Sequence, residues 1–196
     1  MAPTFILSTK DIRKSPSVHL KEARRFWNDH DNVDHHIDHT IELQTLVDAN
    51  RWANPHGISK QDKALLVEYG NQWQNLVIVE VTENRAKGYH CGQLISNGYE
   101  PQTHDEGCVA VIQYDAFVES DISELEGKSY RAVEWLESNL EYARQTYLEN
   151  TIGRVNQDGK LDARNPDVRR NADGSLDGCC RAARRLIYLG IPITHM

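Results

Sequence analysis

Residues 34–44 read DHHIDHTIELQ, with three histidines and two aspartates in the first six positions and an amphipathic run directly behind them. A buried apolar segment does not collect such groups without a use for them. The alternation of Ile37 with His36 and Asp38 predicts a short strand over 33–38 that ends in an Asp-His pair. The next residues place Ile41, Leu43, Leu46 and Val47 at helical intervals, which predicts a helix over 40–49 stopped at Asn50.

Working outward, NPHG at 54–57 has turn composition. Ser59 caps a helix that runs to about Tyr69 and is ended by Gly70, with Asp62 favourably placed in its first turn. NLVIVEV at 75–81 is the clearest strand, β-branched and apolar on both faces. A helix over 83–96 follows, with Gly98 just beyond it. Residues 108–118, CVAVIQYDAFV, suit a strand or a helix equally. The longest helix is expected over 129–150, with Val133, Leu136, Leu140, Ala143 and Tyr147 on one stripe. Upstream, TFIL at 4–7 reads as a short strand leading into a polar linker, and 17–28 as a helix capped by Ser17.

Charge and cysteine usage bound the function. The net charge is −7, so no global positive field draws the chain to nucleic acid or to an anionic membrane. Any polyanion must be held by a local patch or a metal ion. No apolar stretch is long enough to span a bilayer, and the run from Phe5 to Leu7 is too short for a signal peptide. Four cysteines, two of them adjacent, are too few for a disulfide scaffold and read as reduced thiols. The expectation is an intracellular protein, of cytoplasm or nucleus, without a membrane partner.

The order of parts is Asp38-His39 at a strand end, then Asn75 opening a strand, then Asn84 and Lys87 on the following helix. Phosphodiester hydrolysis needs a water deprotonated near neutral pH, which a neutral histidine can do. It also needs a hard cation, and magnesium or manganese is content with few protein oxygens and several waters. A hairpin packed on a helix would bring Asp38 and Asn84 together.

These residues, DHTIELQ with NLVIVEVTENRAKG, resemble the HNH or ββα-metal nuclease motif. The DH-x-x-ELQ form also resembles HNH-type proteins common in filamentous fungi. The nine-residue interval from Asn75 to Asn84 is similar to that in the HNH domain of RNA-guided CRISPR nucleases. The resemblance covers residues 33–92 and departs from the family in two ways. Two apparent helices separate Asp-His from Asn75, and there are no paired C-x-x-C zinc motifs. It implies Asp38 and Asn84 as ligands of one Mg2+ or Mn2+ ion, His39 as general base, and Asn75 as the residue that ties the loop and holds His39. Lys87 would lie near the phosphate. The implied fold is α+β, a ββα-metal core over 29–98 with a helical insertion. A strand/helix segment at 1–28 would precede it, and a mostly helical extension at 99–196 would follow. The implied function is metal-dependent cleavage of DNA or RNA. The alternatives are an inactive HNH-like module that binds nucleic acid or protein, and a metal-dependent enzyme of another class reusing the site.

Weaker signals remain. His36 shares a strand face with Asp38 and is a candidate further ligand or phosphate contact beside the plainer reading of a surface histidine. Cys91, His104 and Cys108 have spacing compatible with zinc, given a fourth ligand from His90, Cys179 or Cys180, though lone thiols in helices are usually core residues. The repeat R-x-N-x-D-G-x-L-D at 154–162 and 169–177 lacks the acidic ends of an EF-hand loop and reads as two Asp-Gly turns. Arg181, Arg184 and Arg185, in an arginine-rich tail ending in a short helix over 179–189, offer either a phosphate-binding face or a solvated one. The four tryptophans are scattered and read as packing residues.

Overall fold

The computed structural model describes residues 4–28, 35–120 and 122–152. The tail repeat, the helix expected over 179–189 and Arg181, Arg184 and Arg185 lie outside the described residues. The chain divides into two units, 1–144 and 145–196. Residues 1–28 and 99–144 therefore belong to the same compact unit as the segment with the Asp-His pair.

The described fold is α+β and mostly helical. Its helices are α1 (Thr9–Arg13), α2 (Val18–Asn28), α3 (Leu43–Ala53), α4 (Lys60–Gly70), α5 (Val81–Ser96), α6 (His104–Glu119) and α7 (Gly127–Ile152). Two strands, β1 (His35–His39) and β2 (Leu76–Glu80), form an antiparallel pair in which His39 faces Leu76 and Asp38 faces Val77. Helices α2 and α5 both pack on the two strands, and α3 and α6 pack on α5.

Several expectations are corrected. The strand expected at 4–7 reduces to one bridge, Phe5 to Ile58, made by two backbone hydrogen bonds of 2.8 and 2.9 Å. Gly57, at φ +82°, turns the chain into that bridge, and a Cβ there would meet the Phe5 carbonyl at 2.9 Å. The polar linker contains α1, nucleated by a capping box in which Ser8 and Asp11 satisfy each other's backbone N–H groups. Helix α3 begins at Leu43 rather than residue 40, because 40–42 turn the chain out of β1. Gly70 does not end α4 through a left-handed conformation. It lies in the last turn because a Cβ would press on Ile12 and Leu46, at 3.1 and 3.2 Å. Residues 108–118 are helical, within α6, whose cap Thr103 accepts from the Glu106 N–H.

The core joins Ile12 of α1, Leu43 and Leu46 of α3, Leu66 of α4, Leu94 of α5, Ala110 of α6 and the stripe Val133, Leu136, Leu140 and Ala143 of α7. Among the described residues strand β2 pairs with β1 alone. Val77 and Ile78 are exposed, since a two-stranded sheet has too few neighbours to cover both faces. Trp52 is also exposed and stacks on Trp135 at 5.7 Å, and Trp73 is exposed.

Candidate functional site

The end of β1 is riveted to α5. Asp38 and Glu42, both buried, converge on the Lys87 ammonium. Lys87 hydrogen-bonds the Asp38 carboxylate and the His39 carbonyl, the latter at 2.8 Å, and pairs with Glu42 at 3.5 Å. A buried carboxylate needs such a partner, because an uncompensated charge out of water is very costly. Gln44 donates to the Gly88 carbonyl at 2.8 Å, and Thr45 meets the Cys91 thiol at 3.0 Å. Lys87, Gly88 and Cys91 follow one another at helical spacing, so the sequence ELQT reads directly onto one face of α5. Burial pushes the Glu42 carboxyl above its ordinary range, against the pull of Lys87.

Asn75 ties the loop after His39. Its Oδ1 accepts from the Ile41 N–H at 2.6 Å, and its Nδ2 donates to the carbonyls of Gly70 and Ile41 at 2.8 and 3.3 Å. The Thr40 N–H donates to the Asn75 carbonyl at 2.9 Å. The asparagine thus locks β1, the start of β2 and the end of α4 together, with every hydrogen bond made to backbone.

His39 is held by a residue that the motif does not contain. Asn71, fully buried after α4, donates from Nδ2 to the carbonyls of Ile12 and Val67 at 2.9 and 3.1 Å. Its Oδ1 therefore faces His39 Nε2 at 3.0 Å, and that ring nitrogen is the donor. In the neutral ring the lone pair is then on Nδ1. Burial lowers the His39 pKa below its ordinary value, and the charges of Arg13 and Lys87 act in the same direction, opposed by Asn71 and Asp38. His39 is therefore a neutral base at pH 7 with an assigned tautomer.

A cleft of about 360 Å³ opens at this point, lined by Arg13, Leu20, Arg24, His36, Ile37, Asp38, His39 and Asn84. Four of the residues singled out in sequence, His36, Asp38, His39 and Asn84, thus line the same cleft. Lys87 does not line it, being turned to the two carboxylates. Arg13 and Arg24, from α1 and α2, are additions that local spacing gives no sign of.

Among the described residues Cys91, His104, Cys108 and His90 do not assemble as a metal centre, and Cys179 and Cys180 lie outside them. Cys91 is buried between Thr45 and Gln113, with its thiol pushed up to about 12, so it stays protonated. His104 contacts Cys108, and His90 contacts Asp105. Among the described residues no three His, Cys, Asp or Glu side chains group as a metal centre. None of the described helices is long and apolar enough to cross a membrane. No protein-family model, no curated protein and no solved structure matches the chain.

Asn71→Asp is expected to raise the His39 pKa, because a carboxylate facing Nε2 favours imidazolium. Histidine titration by NMR would read this directly. An unchanged or lower value would mean that Asn71 does not set the ring.

Proposed function

We propose that the chain is a metal-dependent nuclease built on a ββα-metal core and hydrolysing phosphodiester bonds of DNA or RNA. The observation that carries this reading is that Asp38, His39 and Asn84 line one cleft, with burial favouring the neutral His39 ring and Asn71 engaging its Nε2. The succession of β1, β2 and α5 supports the core assignment.

His39 Nδ1 takes a proton from water as the water oxygen bonds to phosphorus. The bond from phosphorus to the leaving sugar oxygen breaks, and that oxygen takes a proton from solvent. Asn71 keeps the ring in the tautomer that can accept the proton. Asn75 fixes the turn behind it, and Lys87 pairs with the buried carboxylates. Asp38 and Asn84 offer a carboxylate and an amide oxygen, a hard donor pair that suits Mg2+ or Mn2+ better than Zn2+. When bound there, the cation supplies polarisation of the phosphoryl oxygen and stabilisation of the leaving oxygen.

The test is cleavage of plasmid and of RNA by purified protein in Mg2+ or Mn2+, with EDTA as control. Cleavage should stop in EDTA and should fall in Asp38→Asn in a way that added metal partly restores. Equal cleavage by wild type and Asp38→Asn would sink the proposal. One observation favours a second reading, a module that binds nucleic acid without turnover. Lys87 already neutralises Asp38, so the carboxylate has a counter-ion without a metal. Binding in the absence of any metal-dependent cleavage would select that reading.

A further inference from the structure

We infer that Arg13 and Arg24 form a phosphate grip on the wall of the cleft, binding the sugar–phosphate backbone of a nucleic acid beside His39. The inference rests on the proposed function only for the identity of the anion, a phosphodiester.

Three observations converge on it. First, the only route to a polyanion in a chain of net charge −7 is a local patch or a cation. Residues 8–25 carry six Lys or Arg against two carboxylates. Second, α1 and α2 deliver two of these cations, Arg13 and Arg24, to the cleft that holds His36, Asp38, His39 and Asn84. Third, Arg24 is pre-positioned, and no described carboxylate pairs with either arginine. Arg24 Nη2 donates to the Arg13 carbonyl at 3.3 Å, at the C-terminal end of α1, where a cation also suits the helix dipole. One donor of the Arg24 fork is used in this way, and no bond of the others is made to a described residue. Among the described residues neither guanidinium forms an ion pair with a carboxylate, whereas Lys63 and Arg144 each do.

A planar guanidinium matches two phosphate oxygens at once, so two arginines lining one cleft can together hold one phosphate. Lys87 pairs with Asp38 and so offsets part of its opposing charge. The grip gives His39 a fixed phosphorus to act beside, which is where orientation lowers a barrier most. It also relocates the phosphate contact from the arginine-rich tail to the first two helices.

The experiment measures binding of short fluorescent single-stranded DNA, RNA and duplex DNA in EDTA, across roughly 50 to 200 mM salt. The full chain is used, with thermal melting to verify that each variant is folded. Arg13→Ala/Arg24→Ala should bind about 10- to 100-fold more weakly, as expected for loss of charge-assisted hydrogen bonds. Its salt slope should shrink by about 0.7 on single strands and about 0.9 on duplex, one phosphate's worth of counterion release. Arg13→Lys/Arg24→Lys should keep the slope and lose part of the affinity, because charge survives and the fork does not. The three probes distinguish which nucleic acid supplies the phosphodiester. An unchanged slope in the alanine variant, or a slope governed by Arg181→Ala/Arg184→Ala/Arg185→Ala instead, overturns the inference, as does wild type that binds none of the probes. Loss of cleavage without loss of Arg-dependent binding would sink the nuclease reading and leave the grip standing.

Discussion

His39→Ala is expected to lower metal-dependent cleavage by about 10²- to 10⁴-fold, the range of a general base, while leaving nucleic-acid binding nearly intact. The substitution also leaves the buried Asn71 Oδ1 without its donor, which costs roughly 1–3 kcal/mol of stability. His39→Gln, which can still donate to Asn71, provides the control for folding. It should be as inactive as the alanine variant yet melt closer to wild type. The pH dependence follows from the direction of the shift. Burial holds the His39 pKa below 6.5, so the base is already deprotonated at neutral pH. Wild-type kcat/KM should rise with pH through a midpoint under 6.5 and be flat above it. Stability changes in the same window. Well above 6.5 neither the folded nor the unfolded imidazole is charged. As pH falls from there, the unfolded chain binds a proton that the folded state binds less readily, and stability drops until the folded pKa is passed. His39→Gln should lack that part of the acid sensitivity. A midpoint above 6.5, or cleavage by His39→Ala equal to wild type, would remove His39 from the chemistry.

What the sequence disclosed was local. The stripe on α7, the Ser59 cap of α4 and the helix carrying Asn84 and Lys87 could be read because spacing and caps are properties of neighbouring residues. Two helices were legible by a signal that periodicity hides. Ser8-x-x-Asp11 and Thr103-x-x-Glu106 both have the form of a capping box, although Glu106 instead accepts from the Gln102 N–H at 2.8 Å. Helix α1 shows no period because it is short and buries only Ile12. Strand β2 misled in the other direction. Its apolar run looks like a central strand, and only the absence of a third strand among the described residues leaves Val77 and Ile78 exposed. In the cleft, Asp38, His39 and Asn84 were marked by their order along the chain, and Asn75 by its place before the strand. Asn71, Arg13 and Arg24 were not. Asn71 has no motif around it, and its role depends on the Ile12 and Val67 carbonyls approaching from two helices. The arginines are unremarkable members of basic helices until α1 and α2 are set against β1. Lys87 was singled out for the phosphate, but its length and its place beneath the β1 end take it to Asp38 and Glu42.

That placement makes Lys87→Met the most disruptive single change expected in the described fold. Methionine keeps most of the side-chain volume and removes the charge, so Asp38 and Glu42 remain buried with no counter-ion. Breaking a buried pair from one side costs about 3–5 kcal/mol, far more than a surface pair is worth. For a unit of this size the melting temperature should fall by on the order of 10 °C. Glu42 can relieve part of the strain by taking up a proton, since burial already raises its pKa, so the loss should be smaller at acid pH. Asp38→Asn in the same chain should recover much of the stability, and the double-mutant cycle gives the coupling between the two residues. The same variants also separate the two functional readings. If Asp38 serves as a cation ligand, Mg2+ should stabilise Lys87→Met more than wild type, because the ammonium no longer competes for the carboxylate and a ligand of the folded state raises its melting temperature. It should not stabilise Lys87→Met/Asp38→Asn. Equal responses to Mg2+ in all three proteins would mean that the Asp38 carboxylate exists to hold Lys87, and that the cleft binds its phosphate with the arginines alone.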